Sequence, residues 1–315
     1  MELWTRLFEW LKMKFVDIIS YNTRSAEKNG WDPSWFGADN YDTELIKQVK
    51  VFQNQPRLAV DGLVGPTTLR RIVTQREADD IDTSEKAAPS PPPTAEHIIC
   101  NGIEVPINWS VVTMDEEGGL ALPPSSYQRS LNFERQPTMI VTHWDAALSA
   151  QSCFKILKKR DISSHFVIDN DGVIYQMVDT NDIAWHARGA NDISVGIDFS
   201  NAYYAKYQKW YTKKGFGRRP VLDDSRTHGR KHPPHLGYYP KQLEAYRELL
   251  RVLCAHYNIP VACPRDSKGN YITRYHVDSA KGLFRGVVCH FNLSRKKIDC
   301  AGLKLGEIIK ELNEE

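Results

Sequence analysis

Residues 76–97, READDIDTSEKAAPSPPPTAEH, combine charge, alanine, serine and four prolines with almost no large apolar side chain. Such a segment cannot bury a core, and its proline run favours extended backbone that holds its neighbours apart. It divides the 315-residue chain into a small helical unit, residues 1–75, and a larger unit, residues 98–315. A chain of this length suits two domains.

The first unit opens with an apolar stripe, Leu3, Trp4, Leu7, Phe8, Leu11, Phe15 and Ile18, close to helical spacing. Glu2, Arg6, Glu9, Lys12, Lys14 and Asp17 interrupt it. The segment therefore lacks the uninterrupted apolar core of a secretory signal and reads as a packed amphipathic helix. No apolar run is long enough to span a bilayer, so membrane insertion is not expected. Further on, Leu45, Val49 and Phe52 share a helical face that Asp42 or Thr43 can cap. Asp61-Gly62 makes a turn, and Gly65-Pro66-Thr67-Thr68 starts another helix, expected to end near Ile72. Val60, Asp61, Gly62, Val64, Gly65, Pro66 and Thr68 resemble, in order, the recurring pattern of a three-helix peptidoglycan-binding domain. Taken singly, most of these residues are expected to shape the fold rather than touch a ligand.

A net charge of +2 gives no global basic field, and nucleic acid is not an expected partner. The six cysteines contain no CxxC pair, so neither a disulfide framework nor a structural zinc knuckle is expected. Six reduced thiols, most of them buried, are the simplest reading, although Cys254 and Cys263 could close a loop under oxidising conditions.

The second unit alternates strand-like and helix-like segments, the mark of an α/β domain with a mixed central sheet flanked by helices. Strands are predicted at Thr138–His143, His165–Ile168, Val173–Val178, Ser194–Phe199 and Gly286–Cys289. Helices are predicted at Cys153–Lys159 and Tyr239–Tyr257, and Asn170-Asp171-Gly172 signals a hairpin.

Four segments carry the chemistry: VTHWDAA at 141–147, SSHFVIDNDGVIYQMV at 163–178, AWHARGANDISVGIDFSN at 184–201 and VVCHFNLSRKKIDCAG at 287–302. In order and content they resemble the zinc amidase family that includes phage lysozyme-type amidases and peptidoglycan recognition proteins. The resemblance spans roughly residues 138–305, apart from an insertion. It implies one zinc ion held by His143, by His290 and by a third ligand, with one position open for water. Cys300 precedes Ala301-Gly302, near the family's C-P-G. Asp299 stands two residues after Lys297, as in the branch that uses aspartate. Both remain candidates, with Cys300 slightly preferred.

The same resemblance assigns a catalytic carboxylate to Asp198 in VGIDF, where an acid within an apolar strand is costly unless used or paired. Lys297 becomes the partner for the oxyanion. With Cys300 as ligand, the family's lysine would fall at Ile298; Ser164 stands where another branch places a tyrosine. His186 and Trp185 resemble the W-H-A-G motif and are expected on the substrate side. His165 is expected in the core or behind a ligand, and Asn191 and Ser194 in a structural turn.

The insertion, residues 202–238, mixes aromatics with Lys, Arg, His228, His232 and His235. A substrate-flanking loop, its rings stacking on sugars, is favoured there over a second metal site. The implied activity is zinc-dependent hydrolysis of the bond between N-acetylmuramic acid and L-alanine in bacterial peptidoglycan. Without an export signal, a phage endolysin reaching the wall through a holin-type pore is the expected setting, ahead of an effector delivered into rival cells. A non-catalytic peptidoglycan receptor is the alternative, disfavoured because a third ligand is available. Paired carboxylates for glycosidase chemistry do not stand out.

Overall fold

The computed structural model describes residues 17–55, 58–80, 95–130 and 134–314. Two compact units, Met1–Ile81 and Asp82–Glu315, make up the chain. Most of the N-terminal apolar stripe lies outside the described residues.

In the first unit, helix α1 covers residues 17–29. A short 3-10 turn, Pro33–Phe36, leads to α2 (Thr43–Gln53) and α3 (Pro66–Asp79). Asp42 caps α2, its carboxylate accepting from the Glu44 and Leu45 N–H groups. Trp31, Phe36, Leu45, Val49, Leu69 and Ile72 form the core. The turn between α2 and α3 is built on two buried amides. Gln53 Nε2 donates to Asp61 Oδ1 (2.9 Å), the Leu63 carbonyl (3.0 Å) and Thr68 Oγ1 (3.1 Å), while its Oε1 accepts from Gly62 N–H (2.8 Å). Asn22 donates to the Gly62 carbonyl and accepts from Val64 N–H. Gly62 has φ +82, and a Cβ there would stand 2.8 Å from Ile46 Cγ2, so the turn requires glycine.

Both ends of the 76–97 stretch, read as linker from the sequence, lie in regular structure. Helix α3 runs on to Asp79, seven residues past the expected end near Ile72, because Arg76, Glu77 and Ala78 favour helix. Strand β1 (Ala95–Cys100) already pairs with β2 (Ile103–Val112).

The second unit is a seven-stranded mixed sheet with helices around it. After β1 and β2 come β3 (Tyr127–Gln128), β4 (Met139–Trp144), α4 (Ala150–Arg160), β5 (Phe166–Ile168), β6 (Ile174–Gln176), β7 (Ile183–Ala184) and β8 (Ser194–Phe199). Helix α5 (Gln208–Lys213) and four two-residue strands follow: β9 (Val221–Leu222), β10 (Arg226–Thr227), β11 (Arg230–Lys231) and β12 (His235–Leu236). The chain closes with α6 (Pro240–His256), α7 (Val277–Ala280), β13 (Gly286–Cys289), α8 (His290–Leu293) and α9 (Leu305–Glu314). The main sheet runs β1-β2-β6-β5-β8-β4-β13.

Strands β5, β8, β4 and β13 are mutually parallel, and every residue of all four is buried. That explains why they read as nearly continuous apolar runs. Helix α6 packs a face of Ala245, Tyr246, Leu249, Leu250 and Leu253, all inaccessible to solvent. Each such leucine contributes roughly 1.5–3 kcal/mol. None of the six cysteines is bridged, and all are buried. Among the described residues, no helix is long and apolar enough to cross a membrane.

Candidate metal centre

Parallel pairing explains how residues 147 positions apart come to touch. In the β4–β13 ladder Thr142 faces Cys289, so the next residues, His143 and His290, lie side by side where the two strands end. In the β4–β8 ladder His143 faces Asp198, which puts the two side chains on one face of the sheet. The carboxyl ends of parallel strands are where α/β sheets gather their ligands.

Three atoms converge there. His143 Nδ1 and His290 Nδ1 are 2.9 Å apart, His290 Nδ1 is 2.9 Å from Asp299 Oδ2, and His143 Nδ1 is 3.2 Å from the same oxygen. The side chains are 6%, 10% and 13% exposed. Among the described residues this is the one group of three or more histidine, cysteine or acidic side chains able to hold a metal ion. A zinc ion at about 2.0–2.1 Å from nitrogen and oxygen ligands can reach all three atoms together.

The protonation states suit a cation. Burial brings His290 down to about 4, against the pull of Asp299. Burial alone would raise the Asp299 carboxyl, but His290 and hydrogen bonds from both histidines hold it well below the usual carboxylate range. Neutral imidazoles and an ionised carboxylate are the forms that bind metal.

Cys300, the slightly preferred third ligand, is not in this group. Its side chain is fully buried and hydrogen-bonded to Cys289, with Tyr238 beside it. Burial raises its thiol well above the ordinary range, away from the thiolate that zinc binds. Adjacent side chains diverge, and Asp299 is the one that reaches the histidines.

His186, expected on the substrate side, is half-buried and meets the Nε2 edge of His143, not the Nδ1 edge that faces His290 and Asp299. His143 Nε2 lies 3.0 Å from His186 Nδ1, and His186 Nε2 lies 3.3 Å from Ser194 Oγ, which donates to the Ala190 carbonyl. The chain of partners fixes the His143 ring with Nδ1 toward Asp299. It requires Gly196: a Cβ at that position would stand 2.7 Å from the His186 ring. Asn191 Oδ1 accepts from the His186 and Ala187 N–H groups and orders the turn. Trp185 is 38% exposed. Lys297 is exposed, and its charge is felt at His290.

His165 is fully buried. Its Nδ1 accepts from Gly196 N–H (2.9 Å), so Nε2 carries the proton toward the Asp182 carbonyl (3.0 Å). Burial lowers it to about 3. Asp145, two residues after His143, received no role from sequence. It is buried and raised to about 8, first by burial and further by Asp198, while the Asn201 N–H opposes the shift. Only its place within VTHWDAA could have drawn attention to it.

The rings of the insertion turn inward: Tyr203, Tyr204, Tyr207, Trp210 and Tyr211 are all buried. Buried in this way, these five leave no open faces for the sugar stacking expected of them, and Tyr211 packs against the buried Arg219. That guanidinium lies 4.8 Å from the Tyr211 ring centroid and 4.6 Å from that of Tyr239.

The site thus joins two histidines where parallel strands β4 and β13 end to an aspartate brought in by the loop after α8. Residues 133–282 match the N-acetylmuramoyl-L-alanine amidase family model. His290 and Asp299 lie beyond the matched stretch. Solved structures with similarity include the amidase endolysin LysCS of Clostridium intestinale (20% identity, 64% of this chain and 95% of that one, TM-score 0.37). The Ph2119 endolysin of a Thermus scotoductus bacteriophage shows 14% identity over 64% of this chain and 97% of that one, with TM-score 0.36. Drosophila PGRP-LB shows 22% identity over 63% and 91%, with TM-score 0.34. No curated protein matches the chain.

Proposed function

We propose that the chain is a zinc-dependent N-acetylmuramoyl-L-alanine amidase that cleaves the lactyl–L-alanine amide of peptidoglycan. The family match supports peptidoglycan amide hydrolysis. The observation that carries the metal assignment is the convergence of His143 Nδ1, His290 Nδ1 and Asp299 Oδ2 at 2.9–3.2 Å. Held by His143, His290 and Asp299, zinc would supply Lewis acidity and make water a nucleophile near neutral pH. Asp198, in register with His143, accepts the proton that the attacking water gives up. Lys297 steadies the charge growing on the lactyl oxygen. The exposed Trp185 ring borders the muramyl peptide, while His186 keeps the His143 ring in place. We assign wall attachment to the N-terminal helices and a lytic setting, of the phage endolysin type, to the whole chain.

Purified peptidoglycan incubated with the protein should gain free L-alanine amino groups. Chelation should stop the release and added zinc restore it. New reducing sugar ends instead, or full activity after exhaustive chelation, would overturn the assignment.

A further inference from the structure

We propose that the insertion hairpin, residues 221–236, braces the loop carrying the third metal ligand, with His228 as its positioning residue. The proposal rests on the reading of His143, His290 and Asp299 as a zinc site. Strands β10 and β11 form an inner hairpin, and β9 and β12 pair outside it. His228 and Gly229 make its two-residue turn with φ +52 and +75, the left-handed pair that a tight hairpin demands.

The turn projects His228 onto two distant segments. Its Nε2 lies 2.8 Å from the Lys297 carbonyl, and its Nδ1 accepts from Tyr275 N–H at 3.3 Å. With Nδ1 accepting, Nε2 carries the proton and donates. The His228 backbone N–H donates to the Thr273 carbonyl (3.0 Å). The imidazole also meets the Phe291 ring edge-on, 6.4 Å between centroids.

Those contacts fall around Asp299. Its own carbonyl accepts from Phe291 N–H (3.1 Å), which secures one end of the ligand loop to α8. Upstream, Arg295, Lys296 and Lys297 are exposed, so burial does little to fix the backbone there. His228 does so through the Lys297 carbonyl, and Arg295 helps by lying 4.5 Å over the Tyr275 ring. Downstream, Gly302 at φ +80 presses on the outer hairpin: a Cβ there would be 2.4 Å from Leu222 Cδ1 and 3.3 Å from Ser225 Cβ. The hairpin also reaches the first ligand's neighbour, since His235 meets Trp144 at 5.9 Å between centroids. The insertion thus touches the chain on both sides of Asp299 and beside His143. Partners that orient metal ligands in this way are worth roughly 10–100-fold in metal affinity.

The experiment compares the full chain with His228→Phe, His228→Gln and Leu222→Ala. Zinc affinity is read by competition with a chelating dye, the cobalt(II) absorption spectrum reports ligand geometry, and metal-free melting is followed alongside. Phenylalanine keeps the ring without its nitrogens, whereas glutamine keeps an N–H donor, and both share the backbone strain of this position. We expect zinc affinity to fall about tenfold in His228→Phe, with an altered cobalt spectrum, unchanged metal-free melting and partial recovery in His228→Gln. Leu222→Ala should weaken zinc binding through the other arm. Parent-like zinc affinity and cobalt spectra in both His228→Phe and Leu222→Ala would overturn the brace. So would losses that merely track lower metal-free stability. A parent protein that binds no zinc at all would instead remove the metal site on which the brace depends.

Discussion

The turn at residues 60–68 and the strand ends at His143 and His290 both collect polar groups inside a fold, yet they use them in opposite ways. Around Gly62 each amide is spent: Gln53 and Asn22 pair with backbone and side-chain partners until the loop is fully tied. At the strand ends, three atoms that prefer a cation between them are aimed at one another. A satisfied polar cluster specifies a shape, whereas a convergent one specifies a ligand. The chain's two motif-rich regions therefore call for different readings, although each stands out equally in the sequence.

The contrast breaks most clearly at the ligands. His143→Ala, His290→Ala or Asp299→Ala should each abolish zinc retention and amide cleavage, a loss beyond the roughly 10–100-fold typical of outer partners. Inductively coupled plasma analysis and a muropeptide assay would show it, and a variant that kept both would contradict the site. Gln53→Ala should cost about 2–4 kcal/mol in the stability of the first unit, because it strands the buried Gly62 N–H and Thr68 hydroxyl. Cleavage of soluble muropeptides should be unchanged. Denaturant melts paired with that assay test both halves, and lost cleavage with intact stability would reverse the assignment.

Beside the ligand, His186→Ala should lower zinc affinity by roughly 10–100-fold without removing the site. Chelator competition measures this, and an unchanged affinity would leave the His143–His186 contact without consequence. The smallest effect concerns pH. His165 is held near 3, below the ordinary 6.5 of histidine, so its contribution to stability is complete above about pH 6.5. Below that, the unfolded chain takes up a proton that the folded chain refuses. Stability should fall by about 2 kcal/mol between pH 6.5 and 5. Urea midpoints at both pH values should show this loss, reduced in His165→Gln; equal slopes in the two proteins would count against it.

Much of the sheet was legible because its central strands are buried on both faces. Ser194–Phe199 and Gly286–Cys289 match their predicted spans for that reason. Strand β2 was missed although Ile103, Val105, Ile107, Trp109 and Val111 alternate with Glu104, Pro106, Asn108 and Ser110; Pro106 within the run weakens that period-two signal. The two-residue strands of the insertion depend on left-handed backbone at His228 and Gly229, which composition does not announce. At the site, residue types were legible but directions were not. Asp299 and Cys300 are neighbours in sequence, and only the folded loop turns one toward the histidines and the other into the core. His186 likewise carried a motif, yet its contact with His143 depends on the missing side chain of Gly196.

The most direct test is a zinc titration of the parent, Asp299→Ala and Cys300→Ser proteins, each checked for folding. One zinc per chain is expected in the parent and in Cys300→Ser, and none in Asp299→Ala. Zinc retained without Asp299 but lost without Cys300 would contradict the site described above.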